Sequence, residues 1–125
     1  GFDAVGFAPA TLAPQAGLHL SEFIAAHKHG EMNWLAERTT ERSSPNALWP
    51  EAKSVIVVGV NYGPDHNPMD NLQAADRGNI SVYARGRDYH DVLKKQLRVL
   101  ARWVAETYST EVKLFVDTAP VMEKP

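Results

Sequence analysis

The run Phe115-Val116-Asp117-Thr118-Ala119-Pro120-Val121-Met122-Glu123 sets one carboxylate between an apolar stretch and a proline-marked turn. It predicts a strand over 112–116 that delivers Asp117 at its end. A carboxyl group leaving a strand into partial burial is expected to keep its proton to higher pH, because desolvation disfavours the charged form. Asp117 is therefore a candidate general acid. The plainer alternative is a turn cap, in which the Asp117 side chain accepts from the Thr118 or Ala119 amide.

A second dense stretch is Asn79-Ile80-Ser81-Val82-Tyr83-Ala84-Arg85-Gly86-Arg87-Asp88-Tyr89-His90. It reads as a strand running into a glycine turn and then a helix start. Helix N-termini expose unpaired N–H groups that bind anions. Arg85 and Arg87 flank that turn, and His90 falls in the first helical turn, where it can accept or donate a hydrogen bond. The alternative is a capped helix with solvated arginines and a histidine packed for structure. Tyr62, Tyr83 and Tyr89 are placed to stack on a flat ligand or to fill a core.

Two further groups carry less. His27 and His29 suggest a metal pair, but two residues apart on a predicted helix they point in nearly opposite directions. Lys94, Lys95, Arg98 and Arg102 form a basic stripe, either the solvated side of an amphipathic helix or a phosphate contact.

The elements that must position these groups follow from hydrophobic period and breakers. Ala4 to Pro9 reads as a first strand. Leu20 to His29 has helical spacing and is expected to stop at Gly30. Met32 to Glu37 reads as one or two further turns, and 39–50, with two prolines, as a loop. The run from Ser54 to Tyr62 is the strongest strand; its apolar residues are continuous, so both faces are expected to be covered. The stretch 63–78 is a polar loop and 80–84 a third strand. A main helix then starts at Asp88 as N-cap, with Asp91 in its first turn. Val92, Leu93, Leu97, Leu100, Trp103, Val104 and Tyr108 give its apolar stripe. Together these predict an α+β fold: a layered sandwich with a small mixed sheet flanked by helices, cut short at both ends.

The chain has 125 residues, 44% of them apolar, which predicts one soluble domain spanning 1–125. It opens on Gly1-Phe2-Asp3 without methionine, which is expected of a piece of a longer chain. The net charge of −2 argues against a domain built for bulk nucleic-acid affinity and leaves room for a local basic patch. With no cysteine, the chain can form no disulfide and can supply no thiolate to zinc or iron–sulfur. No apolar run reaches the roughly 18 residues of a membrane span.

Several segments, in order, resemble one family. They are His29-Gly30-Glu31-Met32-Asn33-Trp34-Leu35, Arg42 with Pro45, and Leu48-Trp49-Pro50-Glu51-Ala52-Lys53-Ser54-Val55-Ile56-Val57. The runs from Ile80 to His90 and from Val116 to Glu123 complete the set. The chain is similar to the N-terminal domain of the epoxyqueuosine reductases, the QueG family. The resemblance implies a cytoplasmic, cobalamin-dependent oxidoreductase that removes the epoxide oxygen of epoxyqueuosine at the wobble position of tRNA. It implies a corrinoid lying between this domain and a ferredoxin-like domain with two 4Fe-4S clusters beyond residue 125. It also implies an external electron donor and a monomer with no membrane association. Asp117 matches the family's proton donor. Ser81, Tyr83, Asp88, Tyr89 and His90 match positions toward the cofactor, and Arg87 and Lys124 toward the substrate. Ser81 stands where some members carry a cysteine near cobalt. Lys124 stands where members often carry arginine, and so lacks the planar fork. Two other readings remain open: a corrinoid-binding or corrinoid-processing module without catalysis, and a flavin-type reductase domain.

Overall fold

The computed structural model describes residues 1–11 and 14–121, so Lys124 lies outside the described residues. The chain divides into two compact units. One holds Ala4–Gly59 with the residues after Thr118; the other holds Gly1–Asp3 and Val60–Thr118.

In the first unit, Ala4–Pro9 forms β1 and Ser54–Gly59 forms β2, where valine-rich runs favour extended backbone. The two pair antiparallel, Ala4 opposite Gly59 and Pro9 opposite Ser54. The α+β class holds, but the expected mixed sheet is a two-stranded antiparallel ribbon. Side chains alternate across it. Val5, Phe7, Ile56 and Val58 share one face, and Val55 and Val57 lie on the other. The expected cover on both faces of β2 is absent: Phe7 is 75% exposed and Val57 58%.

Helix α1 spans Pro14–Ala25 and buries Leu20. Proline suits its first position, where no N–H is needed. A Cβ on Gly17 would stand 3.2 Å from the Ser43 Cβ, so the absent side chain permits that close approach. The helix ends in a Schellman arrangement. Lys28 N–H donates to Phe23 O (3.1 Å) and His27 N–H to Ile24 O (2.9 Å), with His27 left-handed at φ +54. The expected stop at Gly30 thus comes earlier, and Gly30 (φ +55) shapes the next turn instead. His27 and His29 therefore lie beyond the helix, their rings 6.2 Å apart.

Three single-turn helices follow: α2 (Asn33–Ala36), α3 (Thr39–Arg42) and α4 (Pro45–Leu48). The stretch 39–50, expected as loop, holds two of them. Pro45 opens α4 rather than breaking it, because its fixed φ suits a first helical residue. Arg42 ties α2 to α3. It donates from Nη2 to Trp34 O (3.0 Å) and from Nε to Glu37 O (3.2 Å), with its guanidinium 5.1 Å from the Trp34 ring centre. Buried Ala10 closes the end of the ribbon. Its N–H donates to Lys53 O (3.0 Å), and its carbonyl accepts from Asn46 N–H (3.1 Å) and Ser44 Oγ (3.3 Å).

In the second unit the dominant element is α5, Tyr89–Tyr108. Leu93, Leu97, Leu100 and Val104 of its predicted stripe are partly buried, while Val92, Trp103 and Tyr108 are exposed. It ends on Ser109 at φ +50, where the Ser109 and Thr110 amides both reach Ala105 O. Two expected strands are absent. The stretch 80–84 holds a 3₁₀ turn, Val82–Ala84. The stretch 112–116 belongs to no sheet, although Val116 is buried. The polar loop 63–78 also contains a 3₁₀ segment, Pro68–Gln73, capped by Asn67, which accepts from Met69 N–H at 3.1 Å.

Candidate functional site

The chemistry-bearing residues of the second unit converge on the start of α5. Asp88 caps the helix by accepting from His90 N–H at 2.9 Å, as its position predicts. The same oxygen lies 2.8 Å from His90 Nδ1. The His90 side chain and amide together hold the Asp88 carboxyl below its ordinary range. Gly86, at φ +86, supplies the backbone turn that brings the chain into the helix.

The loop before this turn is locked by Arg85. Its Nε donates to Ile80 O (2.9 Å) and its Nη2 to Asn79 Oδ1 (3.0 Å), an oxygen that also accepts from Asn71 Nδ2 at 3.4 Å. This lock explains why 80–84 is not a strand: the guanidinium takes the Ile80 carbonyl that a ladder would need. The sequence reading placed Arg85 only as a flank of the anion-binding turn. The polar asparagines at 71 and 79 were the available signal for a local hydrogen-bonded loop.

Tyr83, carried by the locked loop, meets Tyr89 edge-on, with centroids 6.2 Å apart and planes at 82°. Tyr89 stacks on His90 at 4.1 Å and 27°. The Tyr89 hydroxyl then donates to Asp117 Oδ2 at 2.6 Å, across 28 positions of sequence. That bond, with desolvation and the nearby Asp117 charge, pushes the Tyr89 phenol up to about 12, because losing its proton would set two negative oxygens together.

Five of the eight expected site residues are thus in one chain of contacts: Tyr83, Tyr89, His90, Asp88 and Asp117. Two expectations for Asp117 need correction. It follows no strand, and it is exposed rather than sheltered, with a left-handed backbone at φ +53. Aspartate is among the few residues that accept that conformation readily. What orients the carboxylate is the Tyr89 hydroxyl rather than a desolvating pocket. Ser81 precedes the 3₁₀ turn and is exposed; its side chain forms no cap. Arg87 lines an open cleft of about 690 Å³ with Asp88, Asp91, Val92, Lys95, Gln96 and Val99.

Among the described residues, no three histidine, aspartate or glutamate side chains gather to hold a metal ion. The cluster instead offers a polar and aromatic edge: Tyr83 is 54% exposed, with Tyr89 and His90 partly so. No helix among the described residues is long and apolar enough to cross a membrane.

Comparison with known proteins gives a consistent result. The family model described as epoxyqueuosine reductase QueG, DUF1730, matches residues 42–118, which include the whole cluster. A protein of Pseudomonas aeruginosa named epoxyqueuosine reductase is 36% identical over 126 residues, 99% of this chain and 35% of the relative. One of Escherichia coli is 34% identical over 127 residues, 100% of this chain and 33% of the relative. One of Xanthomonas campestris is 37% identical over 109 residues, 85% of this chain and 31% of the relative. The chain therefore spans about a third of the length of these relatives. No solved structure matches it.

Proposed function

This chain belongs to the epoxyqueuosine reductase QueG family, and on that premise we propose that it is the corrinoid- and substrate-facing domain of a cytoplasmic oxidoreductase converting epoxyqueuosine to queuosine in tRNA. The single observation carrying this reading is the Tyr89–Asp117 hydrogen bond of 2.6 Å, which ties the carboxylate to the aromatic turn. The ferredoxin-like part with its two 4Fe-4S clusters lies outside this cysteine-free chain, and an external donor reduces it.

Epoxide removal breaks two C–O bonds, leaves a carbon–carbon double bond and releases water, so it consumes two electrons and two protons. Cobalamin, when bound, supplies reducing power from low-valent cobalt. This chain supplies orientation and a proton. Tyr83, with the partly exposed Tyr89 and His90, would hold the macrocycle. Asp117 in its acid form gives one proton to the oxygen leaving the ring carbon and becomes a carboxylate; the second proton that completes the water comes from solvent. The Tyr89 hydroxyl donates to that carboxylate and fixes its rotamer. Arg85 keeps the Tyr83 loop closed, and Asp88 keeps the His90 turn capped. Arg87, on the open cleft at the start of α5, contacts the substrate, and the family resemblance assigns Lys124 the same task. The wobble base lies in a single-stranded loop, so it reaches the site without duplex melting.

The test uses the full-length protein reconstituted with cobalamin and reductant, with single turnovers on epoxyqueuosine tRNA. Asp117→Asn lowers the rate by about 10²–10⁴, the usual contribution of a positioned acid, while the corrinoid absorption of the protein persists. A wild-type rate in that variant removes the proton-donor role.

A further inference from the structure

The outward face of α5 has no task in the reaction above. Lys94, Lys95, Arg98 and Arg102 are all exposed on it. From Arg87 to Arg102 the chain carries five cations and two carboxylates, although the whole chain has 13 cations and 15 carboxylates. Asp91 and Glu106 stand four positions from Lys95 and Arg102, the spacing at which helical ion pairs form. Yet none of the four cations is in an ion pair or side-chain hydrogen bond among the described residues; the ion pairs there are Arg38–Glu41 and Asp88–His90. Four unneutralised cations within two and a half helical turns repel one another, an arrangement that favours an anionic partner.

We propose that this face of α5 docks the sugar–phosphate backbone of the tRNA substrate beside the reaction site. The inference rests on the proposed activity, since that activity names an RNA. Lys94 and Arg102 are eight residues apart, roughly 12 Å along the helix axis, enough to follow two or three successive phosphates of a single strand. Arg98 stands between them on the same side of the helix, one turn from each, so the charges form a continuous row. The cleft at the N-terminal end of the row is lined by Arg87 and Lys95 together with Asp88 and Asp91, and it adjoins Tyr89 and His90, where the site begins. The basic character also suits an anionic membrane surface. RNA is favoured because the row lies on the helix whose N-terminus carries Tyr89 and His90, the residues assigned to the reaction.

The experiment measures binding of an unmodified anticodon stem-loop RNA to the full-length protein between 50 and 200 mM salt. The variant is Lys94→Gln, Lys95→Gln, Arg98→Gln and Arg102→Gln combined, with folding checked by circular dichroism. Each lost single-strand phosphate contact flattens the plot of log K against log salt by about 0.7, so with two or three phosphates lost the slope falls by about two, with affinity down at least tenfold near 100 mM. Trp103→Ala, a second variant off the basic row on the same helix, leaves affinity and slope unchanged. Unaltered affinity and slope in the fourfold variant overturn the proposal, and so does binding of phosphatidylserine vesicles in place of RNA. If the variant binds RNA normally while the wild type reduces epoxyqueuosine, the docking surface is wrong and the activity stands. If the wild type neither binds tRNA nor reduces it, both fall.

Discussion

Tyr89 provides a direct test of the site's electrostatics, because its hydroxyl donates to a carboxylate that gains nothing from a negative neighbour. The phenol is raised from its ordinary 10 to about 12. At pH 11 a phenol of pKa 10 is about 90% ionised and one of pKa 12 about 10%, a contrast well within spectroscopic reach. The assay follows the tyrosine ring carbons by NMR on ¹³C-labelled protein, with Tyr89→Phe identifying the resonance. Asp117→Asn removes the charge while tolerating the left-handed backbone at 117, so Tyr89 then ionises closer to pH 10. The sign of the stability effect follows. The phenol's pKa is higher folded than unfolded, so its contribution is complete below pH 10 and is lost as pH rises through 12. The electrostatic account of the site fails if Tyr89 ionises near 10 in the wild type, or stays near 12 in Asp117→Asn.

Other expectations concern the frame. Asp88, held low by His90, stabilises the start of α5 above its ordinary value of 3.8, and this support disappears as pH falls through the depressed value. Asp88→Asn keeps a capping oxygen but flattens that acid dependence in the exchange of the His90 amide. Ser109→Gly relieves a left-handed serine at φ +50; a gain of about 1 kcal/mol follows, with a rise in Tm of about 3–5 °C by thermal melting. Leu20→Ala empties one of the few well-buried positions and costs about 2–3 kcal/mol in urea titration.

Elements defined by their own residues were legible. The cap at Asp88 and the amphipathic period of α5 rest on interactions within a few positions, and each appears as expected; β1 appears within its expected bounds because β2, far along the chain, supplies its ladder. Other elements that depend on a distant neighbour were not legible. The stretches 80–84 and 112–116 have strand composition, but a strand exists only where a ladder partner accepts it. At Ile80 the carbonyl was claimed by Arg85. The helical turns in 39–50 were hidden because proline was read as a breaker when it stood at a helix start. For the site, Asp117 and the Tyr89–His90 turn were visible as residue types. The bond between them was not, since nothing local marks a contact across 28 positions. Nor did any local signal show that Asp117 would be oriented by a phenol in the open rather than by burial.

The β1–β2 ribbon determines how these residues behave in a test tube. Two strands leave two rows of unsatisfied amides and carbonyls at their rims, and Val5, Phe7 and Val57 give the surface between them an oily character. Such rims recruit further strands from other molecules. Preparations limited to these 125 residues will scatter more light as concentration rises, and a lysine placed at Phe7 will suppress it.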